Sequence, residues 1–137
     1  MAEASFGTPR YGITKNLGAI DFTEARTKTE AALKENGFGV LTEIDVAKTL
    51  KTKIDVDMDS YLILGACNPK LAHHAISNEM AIGLLLPCNV ILAKDKTGDV
   101  MVSAVEPVVM FDVVQRPEME PVAQEVKSLL QKAIDSL

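Results

Sequence analysis

The chain has 137 residues, enough for one ordinary domain that hides roughly two thirds of its unfolded surface. Nearly half of it is apolar (47%), yet only 4% is aromatic and no Trp is present, so the core must be aliphatic and offers few platforms for stacked bases. Fourteen basic residues against nineteen acidic ones, with no Lys/Arg cluster, exclude the concentrated basic face that a nucleic-acid backbone requires.

No apolar run approaches the length of a membrane span. The opening MAEASFGTPRYG has no basic-then-apolar leader. The expected setting is therefore cytoplasmic, with no membrane partner. Reducing conditions there disfavour a permanent Cys67–Cys88 disulfide.

RYGITKNL, 10–17, reads as a first strand, with Tyr11, Ile13 and Lys15 on one face. DFTEARTKTEAALKENG, 21–37, reads as a helix. Asp21 caps it, Glu24 completes a capping box, and Phe22, Ala25, Thr29, Ala32 and Leu33 form one stripe. Gly37 supplies the left-handed turn that stops it. FGVLTEIDV, 38–46, alternates as a strand. DVAKTLKTKI, 45–54, follows as a helix capped by Asp45, with Val46, Leu50 and Ile54 four apart.

DSYLILGA, 59–66, predicts another strand. NPKLAHHAISNEM, 68–80, predicts a helix with Asn68 as cap and Pro69 in the first turn, where a missing N–H costs nothing. GLLLPCNVILAKD, 83–95, reads as a strand that Pro87 interrupts, implying a bulge or an edge. KTGD, 96–99, turns the chain into DVMVSAVEP, 99–107, and closes a hairpin. PVVMFDVV, 107–114, carries no assignment. The last segment, 117–137, reads as a helix with Met119, Val122, Val126, Leu129, Leu130, Ala133 and Leu137 on one face and Pro121 in its first turn.

Helices bracketing hairpin-like strands predict a single α+β domain over 1–137, a two-layer structure with an antiparallel sheet and helices on one face. The other face must meet solvent, a ligand or another subunit.

Four segments together, NGFGVLTEIDV, YLILGACNPKLAHHA, IGLLLPCNV and SAVEP, resemble the family called domain of unknown function 302, over roughly residues 20–137. The resemblance implies a fold similar to that of the TATA-binding protein, and a homodimer. It supplies no catalytic residue. A fold likeness to a DNA binder does not license DNA binding.

The chemistry concentrates in GACNPKLAHH, 65–74, and PCNV, 87–90, which share a Cys-Asn pair. Cys67 precedes the capping Asn68, so the unpaired first-turn amides and Lys70 would favour a thiolate there. Against that, a thiol after the apolar run YLILGA is more often a packing residue. Asn68 is first of all a cap. His73 and His74 point about 100° apart on a helix and cannot chelate one ion from the same side. A Cys-Cys-His set suits zinc or copper(I), but no CxxC or HxxxH spacing is present, so no metal and no cofactor is assigned. Cys88, Val90 and Leu92 share one strand face, the core face, and Asn89 faces the other way. Ser60 and Ser103 have no His-Asp partners at readable spacing, and GFG, 37–39, is a helix stop rather than a phosphate loop.

These observations point to a binding module with a small-molecule ligand held near 65–74 and 87–90 by Cys67, Asn68, Lys70, His74, Cys88 and Asn89. The alternative is a thiol-based redox or soft-metal-handling protein using Cys67 and Cys88. A third reading is a structural dimer joined through the free sheet face. Whether any reaction is catalysed is left open by the sequence.

Overall fold

The computed structural model describes residues 6–137. In chain order the elements are β1 (Gly12–Asn16), α1 (Phe22–Glu35), β2 (Gly39–Asp45), α2 (Val46–Ile54), β3 (Tyr61–Cys67) and α3 (Pro69–Asn78). A 3₁₀ segment (Met80–Leu85), β4 (Cys88–Lys94), β5 (Val100–Val105), α4 (Pro107–Asp112), a 3₁₀ turn (Pro117–Met119) and α5 (Glu120–Asp135) complete them. The strands form one sheet in the order β1-β5-β4-β3-β2, every neighbouring pair antiparallel.

Strand alternation sorts the sheet into two faces. Leu62, Leu92 and Val102 form one cross-strand row, and Leu64, Val90, Ala104 and Ile13 form the next. All seven are buried, against the apolar stripes of α1 and α5. From α1 come Ala25, Ala32 and Leu33, and from α5 Val122, Val126, Leu130 and Ile134. Each Leu, Ile or Val among them, fully buried, contributes about 1.5–3 kcal/mol. Thr29 sits in the same stripe because its hydroxyl donates to the Ala25 carbonyl, 2.8 Å away, and so buries no unpaired polar group. The opposite face carries Ile44, Ile63, Ile91, Ser103 and Thr14 in one row, where the Thr14 and Ser103 hydroxyls pair at 2.8 Å.

The caps read from sequence form. Asp21 accepts from the Glu24 amide, Asp45 from Lys48 and Asn68 from Leu71. Gly37 has φ +87°, the left-handed geometry that ends α1.

Two expectations are corrected. The strand expected over 83–95 begins only at Cys88, because Met80–Leu85 coil as 3₁₀ helix. Pro87 therefore precedes β4 instead of interrupting it, and β4 is interior, between β3 and β5. A short apolar run such as GLLL does not distinguish strand from helical turn. The unassigned 107–114 contains α4, whose first turn holds Pro107 and whose cap is the Glu106 carboxylate, accepting from Val109 at 2.9 Å. Glutamate is an uncommon cap, which hid the start of this helix.

α2 forms where the sequence predicts it, yet none of its residues is buried. None of residues 41–61 belongs to the hydrophobic core. Among the described residues, no helix is long and apolar enough to cross a membrane.

Candidate functional site

The antiparallel register of β3 and β4 pairs Ala66 with Cys88 and Gly65 with Asn89. Cys67 is the next residue of β3 after Ala66, so the two Cys-Asn pairs meet at one end of the sheet. There β3 hands over to α3, and the 3₁₀ segment hands over to β4 through Leu86 and Pro87.

A cavity of about 310 Å³ opens at this junction. Its floor is core: Ala66, Cys88, Phe111, Val122 and Val126. One wall is the inner side of α3, from Leu71, Ala72, Ala75 and Ile76. The other comes from Phe38, Leu41, Thr42, Gly83, Leu86 and Pro87. Cys67 and Asn68 complete the lining, which among the described residues contains no charged side chain. The rim is apolar too, with Leu41 67% and Ile76 43% exposed.

Gly65 holds this end of the sheet closed. A Cβ there would stand 2.1 Å from the Thr42 hydroxyl and 2.8 Å from the Pro87 ring. Only a residue without a side chain lets Thr42 of β2 and Pro87 approach β3 so closely. A glycine interrupting the apolar run YLILGA is the sequence signal that marks this approach. The remaining wall residues carry no such signal, because Leu71, Ala72, Ala75, Val122 and Val126 read as ordinary helix stripes.

The six residues singled out in the sequence fall into two groups. Cys67, Asn68 and Cys88 line the cavity. Lys70 and His74 do not; both are exposed on α3, and the His74 Nε2 lies 3.4 Å from the Asn78 amide nitrogen. Asn89 is exposed on the opposite sheet face, where it borders a more open groove of about 450 Å³ with Tyr11, Tyr61 and Ser103. The shared Cys-Asn dipeptide thus serves two settings. Asn68 caps a helix, whereas Asn89 sits mid-sheet with its side chain away from Cys88.

The thiols also differ. Cys88 is 7% exposed, and burial, with a smaller contribution from the nearby Cys67, pushes its pKa up to about 11. It stays a neutral thiol at physiological pH and packs as a small apolar group. Cys67 is half-buried. The two are free thiols, and among the described residues no group of three or more His, Cys, Asp or Glu side chains is arranged to hold a metal ion.

The family model for "domain of unknown function DUF302" matches residues 13–137. The chain belongs to the DUF302 family. A solved crystal structure of an uncharacterized conserved DUF302 protein from Bacillus stearothermophilus superposes with a TM-score of 0.85 at 23% identity. The superposition covers 93% of this chain and 98% of that one, and it establishes the shared α+β fold. No curated protein matches the chain. The DUF302 match runs from within β1 through the end of α5, so every described wall of the cavity comes from family sequence.

Proposed function

We propose that this DUF302 protein is a dimeric small-ligand-binding module whose ligand occupies the cavity beside Cys67, Asn68 and Cys88. The observation that carries the reading is the cavity itself. A hollow of about 310 Å³ reaches from an apolar rim down to buried core residues of α5. Binding sites are typically concave, mostly apolar hollows of about 300–1,000 Å³ with a few placed polar groups. Here those groups are the Cys67 thiol, the Asn68 amide and the Thr42 hydroxyl. Lys70, His74 and Asn89, candidates on sequence grounds, take no part in this version of the site.

The test is to titrate a neutral aromatic probe, naphthalene, into labelled protein and follow backbone amide shifts. Saturable changes at Ala66, Cys67, Asn68, Ala72 and Cys88 are expected. They should vanish in Ala72→Phe, which fills the hollow from α3. Shifts that leave these residues unmoved overturn the reading.

The dimer rests on β2. It is a terminal strand of the sheet, and all seven of its residues are exposed or half-buried, including Leu41 and Ile44. It carries Glu43, Asp45 and a register shift between Val40 and Thr42, but neither Lys nor Pro, and its long outer edge suits a second β2. The other terminal strand, β1, is only five residues long, contains Lys15 and has α5 against it. An antiparallel β2–β2 contact about a two-fold axis is self-complementary. Light scattering should give twice the mass of the chain, and a monomer would remove this part of the proposal.

The thiol alternative is weaker. A redox pair needs an accessible low-pKa thiol, and burial drives Cys88 the other way.

A further inference from the structure

We infer the chemical class of the ligand: a neutral molecule with an apolar body of roughly ten to thirteen heavy atoms and one hydrogen-bond acceptor, held by the Asn68 side-chain NH₂. This rests on the cavity reading above and deepens it.

Size comes first. An apolar cavity of about 150 Å³ accommodates one benzene ring. At about 310 Å³ the hollow is twice that, room for a fused bicycle or a short branched hydrocarbon.

Charge follows from the lining. Among the described residues seventeen form it, and none is Asp, Glu, Lys, Arg or His. A buried carboxylate or ammonium there would find no counter-charge, and the desolvation cost would not be offset. The basic groups nearest in sequence, Lys70 and His74, are exposed on α3 and outside the lining. A ligand carrying a formal charge within the hollow is therefore rejected.

The polar handle is Asn68. Its side-chain oxygen is committed to the α3 cap, accepting from the Leu71 amide at 3.1 Å. That bond fixes which way the amide points and turns the NH₂ away from the cap. Among the described residues the NH₂ has no hydrogen-bond partner, and it is not sealed from solvent. A Cβ at Gly37 would stand 2.9 Å from this nitrogen, so the NH₂ lies against Gly37, beside the lining residue Phe38. An amide donor at the edge of an apolar hollow matches a ligand carbonyl or ether oxygen. An acceptor-free ligand leaves that donor to water.

The experiment compares three probes of one shape: naphthalene, 2-acetylnaphthalene and 2-naphthoate. They are titrated into the full chain, into Asn68→Asp and into Ala72→Phe, with amide shifts as the readout. Asp caps a helix as well as Asn does but offers no NH₂, so the variant keeps the fold and loses the donor. The ketone should bind about fivefold tighter than naphthalene, the gain of one hydrogen bond. In Asn68→Asp the ratio of ketone to naphthalene affinity should fall to about one, whatever the new carboxylate does to both affinities. The naphthoate should bind at least about tenfold more weakly than the ketone. Ala72→Phe should block all three.

Naphthoate binding in the cavity as tightly as the ketone would overturn the neutral class while leaving the cavity reading intact. Equal binding of ketone and naphthalene, insensitive to Asn68→Asp, would overturn the role of Asn68. Failure of every probe to move the cavity residues would overturn this inference together with the reading beneath it.

Discussion

Ala66 and Cys88 are paired across β3 and β4, which sets Cys67 one residue along from the partner of Cys88 and brings both thiols to one cavity. Their surroundings nevertheless make them chemically unequal. Cys88 is closed in by the core, and Cys67 is half-open. Native protein treated with a thiol-reactive chromophore at pH 8 should release about one equivalent quickly, from Cys67, because a thiol with pKa near 11 is almost wholly protonated there. The second equivalent should appear only on unfolding. Two equally fast thiols would contradict this difference. Cys88→Ser should cost about 1–3 kcal/mol, since it buries a hydroxyl among apolar side chains, and Cys88→Ala should cost less.

Gly65 gives a second prediction. Its absent side chain is what lets the Thr42 hydroxyl and the Pro87 ring close over β3. Gly65→Ala should lower stability by about 1–3 kcal/mol in urea denaturation, the usual cost of overpacking. Removing the nearer obstacle in Gly65→Ala/Thr42→Ala should recover part of the loss. An additive pair of effects would show that the clash is not with Thr42.

The pairing of Glu106 with Lys127 predicts a pH dependence. Glu106 accepts from the Val109 amide at 2.9 Å and lies 2.7 Å from the Lys127 ammonium. Burial alone would raise its pKa, but the Lys127 hydrogen bond and charge, with the α4 amides, outweigh it and hold the carboxyl below its ordinary value of 4.5. A carboxyl with a lower pKa folded than unfolded adds stability that is fully present above the unfolded value. That stability is lost as pH falls through the folded one. Glu106→Gln should therefore destabilise at pH 7, by about 1–3 kcal/mol for the lost charge-assisted bonds. The gap between wild type and variant should narrow steadily below pH 4.5. A gap that is constant with pH would contradict the pairing.

β2 supplies the fourth. If its outer edge joins two copies, Leu41→Lys with Ile44→Lys should convert the dimer to a folded monomer in light scattering, with the circular dichroism spectrum unchanged. Lysine on an exposed edge is a common obstacle to strand pairing. A doubly substituted protein that remains dimeric would place the contact elsewhere.

Much of this architecture is legible in the residues because local signals agree with one another. Asp21, Asp45 and Asn68 each stand one residue before a periodic apolar segment and cap the helix expected there. The Cys88, Val90, Leu92 alternation faces the core as two-residue periodicity requires. The run GLLL reads as strand because a short apolar run does not distinguish strand from helical turn; Leu84 lies on the 3₁₀ segment, 88% exposed. The candidate site was half legible. Cys67, Asn68 and Cys88 share a cavity because β3 and β4 are neighbours in that register, which no local pattern encodes. Proximity in sequence suggested Lys70, His74 and Asn89, but helix rotation and strand alternation carry them out of the hollow. The walls from α5 stayed hidden because more than thirty positions separate Val122 and Val126 from the Cys-Asn pairs, and long-range packing has no sequence motif.

The most direct test of the account is whether occupying the hollow shields Cys67. Its alkylation rate should be measured at fixed pH with and without saturating 2-acetylnaphthalene, in wild type and in Ala72→Phe. The account predicts marked slowing in wild type and none in the filled variant. An unchanged rate at Cys67, with the probe bound on the sheet face around Asn89 and Ile91, would contradict it.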